Sequence, residues 1–193
     1  MDKKGSQAII NSSKALFWKH GIKRVTVEDI CKEAGISKMT FYRNFSNKEE
    51  VAKKILTLLF EKGLEDYRAN MRADKPFAQK MVQMVIQKHE GSIDISEEFI
   101  QDIYSKEITE LKDLIESFKI KMRKELMEDL TVAQREGHIR KELKLSFIPL
   151  MLTTFEKMML DKTFIGKYST PHDAVMELTN FFLYGISKES NES

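Results

Sequence analysis

The chain has 193 residues, with 32 Lys and Arg against 30 Asp and Glu and a single cysteine; that length suffices for one small domain and one larger domain with a sizeable core. One cysteine excludes an intramolecular disulfide framework and fits a reducing compartment, and Cys31 is expected to fill a small buried slot. No apolar stretch approaches the roughly 18 residues of a membrane span and the amino end lacks a signal-peptide core, so a soluble cytoplasmic protein is expected.

The net charge of +2 is unevenly placed: residues 1–60 hold 12 Lys and Arg against 6 Asp and Glu, which is +6 and leaves −4 for the remainder. A positive amino end favours a polyanionic partner there. The spacing of Ile9, Ile10, Leu16 and Phe17 predicts a helix from Ile9 to His20, ended by Gly21. Thr26 then stands before Val27, Ile30, Cys31 and Ala34, a helical period with Glu28 and Asp29 in the first turn, where the helix dipole favours negative charge. Gly35 sits where a left-handed residue closes a helix, Ile36 is an apolar plug, and Ser37 is a good N-cap for another helix. Such a short turn swings the second helix by about 90–120°, so Phe41 and Phe45 can pack on Ile30 and Ala34. The opposite face is expected to expose Lys38, Met39, Thr40, Tyr42, Arg43 and Asn44. These side chains suit phosphates and base edges, because Arg and Lys neutralise charge or fork onto guanine while Tyr, Thr and Asn donate to phosphate oxygens. Ser46 or Asn47, with Glu49 or Glu50 three residues on, is expected to cap the next helix.

These residues resemble the TetR family of bacterial transcriptional regulators. The resemblance covers about the first fifty residues: the helix ending at Gly21, the cap Thr26, Ile30 followed by the small Cys31, Ala34 to Ser37, Thr40 to Tyr42, Phe45, and the pair Lys48 and Glu49. It implies an all-α protein with a three-helix DNA-binding head at about 1–50, a connector helix at about 47–71, and a helical regulatory and dimerisation domain over 51–193. By resemblance, Thr26, Tyr42 and Lys48 hold the DNA backbone, with Ser37 capping the recognition helix, while Lys38, Met39, Thr40 and Arg43 lie nearest the bases. Ser12 and Ser13 stand where the family usually has alanines, and Met39 stands where glycine is common.

Beyond Phe60, helical spacing continues. Val51 to Met71 carries Ile55, Leu58, Leu59, Leu64 and Tyr67, and Pro76 breaks it. A helix is predicted for Phe77 to His89, a loop for Gly91 to Ser96, and a long helix for Ser105 to Arg135 that stops at Gly137. Ser146 to Leu160 and Pro171 to Ile186 supply two more, the second opened by Thr170 as N-cap. No repeat and no strand periodicity is evident.

The last two helices are the expected seam of a homodimer. Phe147, Met151, Phe155 and Met158, with Val175, Leu178, Phe181 and Phe182, offer more apolar surface than a terminal helix pair needs, and in the resembled family a four-helix bundle forms there between subunits. The resemblance also implies a small hydrophobic or amphipathic effector. Phe60, Tyr67, Met84, Phe99, Phe118, Met122 and Phe155 are the candidate walls of its pocket, since methionine adapts to irregular cavities; ordinary helical core is the competing reading of each.

His20, His89, His138 and His172 are scattered without metal-ligand spacing, and no phosphate-binding glycine loop or nucleophile elbow occurs, so neither catalysis, a metal nor a cofactor is expected. The expected function is a DNA-binding transcriptional regulator, a repressor at a palindromic operator. The alternative is a helical protein-interaction or membrane-surface module with only non-specific DNA affinity.

Overall fold

Capping chemistry sets many helix boundaries in the computed structural model, which describes residues 3–104 and 107–187. Helix α1 (Lys3–His20) starts earlier than the Ile9 expected and ends at Gly21, whose φ of 79° lies in the left-handed region. Helix α2 (Val27–Ala34) opens on a reciprocal capping box. The Asp29 N–H donates to the Thr26 hydroxyl (3.2 Å), and the Thr26 N–H donates to the Asp29 carboxylate (2.9 Å). Gly35, at φ 64°, closes it with its N–H turned back toward Lys32. Helix α3 (Lys38–Asn44) is capped by Ser37, whose hydroxyl accepts the Thr40 N–H at 3.1 Å. Helix α4 (Lys48–Arg72) is capped by Asn47 and Glu50: the Glu50 N–H donates to Asn47 Oδ1, and the Ser46 N–H to Glu50 Oε2, each at 2.7 Å.

Helices α5 (Phe77–Ser92), α6 (Glu97–Tyr104) and α7 (Thr109–Arg135) follow. The loop expected from Gly91 is shorter, because Ser92 stays helical: its hydroxyl bonds the Lys88 carbonyl (2.7 Å) and lies 2.8 Å from His172 Nδ1. Helix α6 lies where no helix was delineated. Ser96 caps it through the Phe99 N–H (3.1 Å), and Glu97 and Glu98 occupy its first turn. A 3₁₀ turn (Leu145–Phe147) leads into α8 (Ile148–Met158), then the short α9 (Lys162–Ile165) and α10 (Pro171–Ile186), which Thr170 opens as expected. The described residues contain no strand beyond an isolated bridge between Ile139 and Ser187.

The chain divides into two compact units, Met1–Lys62 with Asp94–Ser117, and Gly63–Ile93 with Phe118–Ser193. The first is therefore larger than the three-helix head drawn at 1–50: Phe99 of α6 and Leu111 and Ile115 of α7 are buried in the same core as Ile9, Phe17, Ile30, Phe41 and Val51. Each such side chain contributes about 1.5–3 kcal/mol on burial. Cys31 belongs to this core, and burial pushes its thiol up from its ordinary range. In the second unit, Met81, Leu130, Ile139, Ile148, Leu183 and Ile186 form a separate core. There the Tyr67 hydroxyl donates to Asp129 (2.7 Å), and burial together with that carboxylate raises its pKa.

Candidate nucleic-acid interface

Helix α3 divides its side chains sharply between core and surface. Phe41 is fully buried and Phe45 nearly so, their rings 6.3 Å apart beside the buried Ile30. Met39 is 81% exposed and Tyr42 56% exposed. Lys38, Arg43, Ser37 and Thr26 are exposed too, and Thr40 is half-buried. A Met and a Tyr held out in solvent on one short helix lie ready for contact with a partner. The Tyr42 ring stands edge-on to Phe41 at 5.4 Å, which restricts it to that face.

Asn44 departs from expectation. It is buried, because its side-chain amide donates back to the Thr40 carbonyl (2.8 Å) and so tightens the end of α3 instead of facing outward. Lys38 forms an ion pair with Glu28 of α2. The hydrogen bond to Lys38 holds the Glu28 carboxyl below its ordinary range, and the same bond raises the Lys38 ammonium.

Lys48 also takes a place its sequence role does not anticipate. Its ammonium donates to the carbonyls of Ile22 (2.9 Å), Lys23 (2.8 Å) and Val25 (2.7 Å), all in the loop between α1 and α2. An ammonium has three protons, so these three carbonyls match its donors one to one. From the other side, Asp102 of α6 accepts the N–H groups of Ile22 (2.6 Å) and Lys23 (3.0 Å). Lys23 pairs with Glu107, and Arg24 with Glu98 at 2.6 Å. Asp102 lies far outside the sequence motif, and nothing in its local pattern separates it from a surface carboxylate.

The expected dimer seam is partly exposed and partly core. Phe147 (49%) and Phe181 (64%) are exposed, and Met151, Phe155, Met158, Val175 and Phe182 are half-buried. Phe155 packs edge-on against Phe181, ring centroids 6.3 Å apart. Leu178 points inward and is 9% exposed, so it is core of its own chain and not available to a seam. Leu150 (65%) and Tyr184 (78%), which the sequence did not single out, are exposed as well, Tyr184 one turn beyond Phe181 on α10.

The expected pocket walls divide between the two units. Phe99 is buried in the first unit with its ring 4.4 Å from Trp18, and Phe60 packs on that same core. Tyr67, Met84, Phe118, Met122 and Phe155 belong to the second unit. A cleft of about 450 Å³ in the second unit is polar instead, bounded by Arg68, Arg72, Lys121, Lys124 and Glu125 among others, and holds none of the expected walls. Arg68 forks onto Glu125 there and keeps its carboxyl below the ordinary range. Among the described residues no group of three or more His, Cys, Asp or Glu side chains is placed to hold a metal ion. No helix of the described residues is long and apolar enough to cross a membrane.

Two capped helices joined by a glycine turn, the second displaying a polar and basic face from a core-anchored back, define a helix-turn-helix DNA-binding head. Residues 9–55 match the family model for bacterial regulatory proteins of the tetR family. Over most of its length the chain shares its fold with solved transcriptional regulators. The fatty acid degradation regulator FadR from Bacillus halodurans is 19% identical with a TM-score of 0.69, over 94% of this chain and 95% of that one. The ketosteroid transcriptional regulator KstR2 of Mycobacterium tuberculosis is 20% identical with a TM-score of 0.63, over 95% of each chain. A transcriptional regulator from Saccharomonospora viridis, in complex with choline, is 14% identical with a TM-score of 0.74, over 97% of this chain and 100% of that one. No curated protein sequence matches the chain. The amino-terminal segment is thus similar to the DNA-binding region of tetR-family regulators, and the fold is that of solved transcriptional regulators.

Proposed function

We propose that the chain acts as a homodimer that binds a palindromic operator, represses transcription by occluding a promoter, and is released by a small hydrophobic or amphipathic ligand. The observation that carries the reading is the face of α3: Lys38, Met39, Tyr42 and Arg43 are exposed on a helix whose other side is locked by Phe41 and Phe45. In this reading Lys38, Met39, Thr40 and Arg43 meet base edges, while Thr26, Ser37, Tyr42 and Lys48 meet the backbone. Met39, standing where glycine is common in the resembled family, offers an apolar contact suited to a thymine methyl group.

Dimerisation is supported by the exposed Phe147, Leu150, Phe181 and Tyr184, an apolar surface that a second copy would bury under two-fold symmetry. Two heads related in that way reach successive major grooves about 34–36 Å apart. A small apolar or amphipathic effector is supported by three structural neighbours that regulate fatty acid degradation, act as a ketosteroid regulator, or hold choline. Such a ligand acts by favouring a conformation with wrongly spaced heads, and its effect is limited to its differential affinity for the two states.

The test is sedimentation of the protein with a labelled duplex carrying its selected site, alone and with fatty acids, sterols and choline in turn. Two chains per duplex, and release by one ligand class, is the expected result. Binding as a single chain would refute the dimer. Binding unaffected by every ligand in the panel would count against effector release.

A further inference from the structure

The chain carries eleven methionines and one cysteine, and folding hides nearly all of that sulfur. Among the described residues Cys31, Met81 and Met159 are buried and the other methionines are half-buried, except Met39, which is 81% exposed. Helix geometry explains the exception. Met39 lies two positions before the fully buried Phe41, about 200° around the helix, so the packing that anchors α3 through Phe41 turns Met39 away from the core. Tyr42 and Arg43, three and four positions on, share its side of α3 and are exposed with it. The most accessible sulfur of the described residues therefore stands on the face assigned to base contact. The one thiol does not compete with it: Cys31 is enclosed in the core of the first unit, and burial disfavours its reactive thiolate.

We propose that Met39 is a reversible modification site, at which oxygen transfer from a hydroperoxide to the thioether sulfur releases the protein from its operator. The inference rests on the reading of α3 as the base-contacting helix, and it adds a route of release that needs no effector pocket. With hydrogen peroxide the step balances on its own. A sulfur lone pair attacks one peroxide oxygen, the O–O bond breaks as the S–O bond forms, and sulfur gives up two electrons. The departing oxygen takes the proton of the attacked one and leaves as water. The product sulfoxide is reducible.

The consequence for binding follows from polarity. A thioether is an apolar surface that matches a thymine methyl group. A sulfoxide carries a strong dipole, an acceptor oxygen and no donor, so against a methyl group its oxygen loses water without gaining a partner. It bears no net charge, so the contacts that other side chains make to phosphates, and the salt dependence they confer, stay as they were. Oxidation at Met39 is thus expected to act on base recognition and to leave the electrostatic part of binding unchanged.

The experiment treats the full wild-type chain and Met39→Leu with hydrogen peroxide, alone and with saturating operator duplex, and maps the added oxygen by peptide mass spectrometry. Operator affinity is measured before and after treatment across a salt series, and again after incubation with methionine sulfoxide reductases for both epimers. Trp18, the chain's single tryptophan and part of the core of the first unit, reports by its emission whether the fold survives. Met39 should be oxidised before any other described sulfur, and bound operator should slow its oxidation. Affinity should fall by about tenfold or more, with the slope of log K on log salt and the Trp18 emission unchanged, and the reductases should restore it. Whatever affinity Met39→Leu has at the start, the same dose should leave it unaltered.

Another sulfur oxidised first, full affinity with Met39 oxidised, or an equal loss in Met39→Leu would each overturn the proposal. So would oxidation of Met39 at the same rate with and without operator, or a red shift of Trp18 accompanying the loss. If wild type binds no duplex specifically, the DNA reading fails and release falls with it, while the map still decides whether Met39 is the site of modification.

Discussion

Replacing Gly21 with alanine tests the packing of the reading head most sharply, because Gly35 provides an internal control. Both glycines have left-handed backbones, φ 79° and φ 64°. At Gly35 nothing lies within 4 Å of an added Cβ, so the cost there is only conformational, about 1–2 kcal/mol. At Gly21 the same conformational cost applies, and in addition the Cβ would sit 2.8 Å from Glu98 Cβ, 2.9 Å from Asp102 Oδ2 and 3.1 Å from the Glu98 backbone carbon. Backbone cannot swing aside as a side-chain tip can, so α6 must retreat, and overpacking of this kind costs about 1–3 kcal/mol. The retreat also stretches the Asp102 bonds to Ile22 and Lys23. Gly21→Ala is therefore expected to cost about 2–5 kcal/mol in all, and Gly35→Ala about 1–2. Urea unfolding followed by Trp18 fluorescence measures both in the unit that contains them. Equal costs for the two substitutions would refute the close approach of α6 to the α1–α2 turn.

Glu28→Gln should tighten operator binding by about two- to fivefold by freeing Lys38 and removing a negative charge beside the DNA face, as read by fluorescence anisotropy. The depressed Glu28 keeps its charge above the ordinary carboxylate value of 4.5 and loses it only as pH falls below that, while the raised Lys38 keeps its charge beyond 10.5; the gain should therefore be flat from pH 6 to 8. Leu150→Lys with Phe181→Lys should yield monomers in sedimentation with little change in monomer stability. Leu178→Ala should do the opposite, costing about 2–5 kcal/mol of core packing and leaving the dimer intact. Tyr67→Phe should lower stability by about 1 kcal/mol in denaturant titration, because it leaves Asp129 without its hydroxyl donor.

The amino-terminal half of this account was legible in the sequence because its signals are local. Thr26 with Asp29, Gly35, Ser37 and Asn47 with Glu50 act through neighbours within a turn, and each forms the bond its spacing implies. The start and capping of α10 at Thr170 and Pro171 were readable for the same reason. What escaped depends on partners distant in sequence. Asp102 meets Ile22 across 80 positions and Lys48 meets Val25 across 23, so neither bond has a local signal in the sequence. Asn44 and Leu178 were misplaced because periodicity gives a face, and it cannot say whether a boundary residue turns inward. The aromatic and methionine pattern gives helical spacing without saying which core a side chain joins: Phe99 lies beside Trp18 in the core of the first unit, and Tyr67 hydrogen-bonds to Asp129 in the second.

The central claim is that the exposed face of α3 reads DNA in a two-fold arrangement. Selection of duplexes from a random pool, by wild-type protein and by Arg43→Gln in parallel at near-physiological salt, tests it most directly. Wild type should enrich a palindrome with half-sites about one helical turn apart, and the variant should keep that spacing while losing preference at one symmetric pair of positions. No enriched sequence from folded wild-type protein, or an identical motif from both proteins, would contradict it.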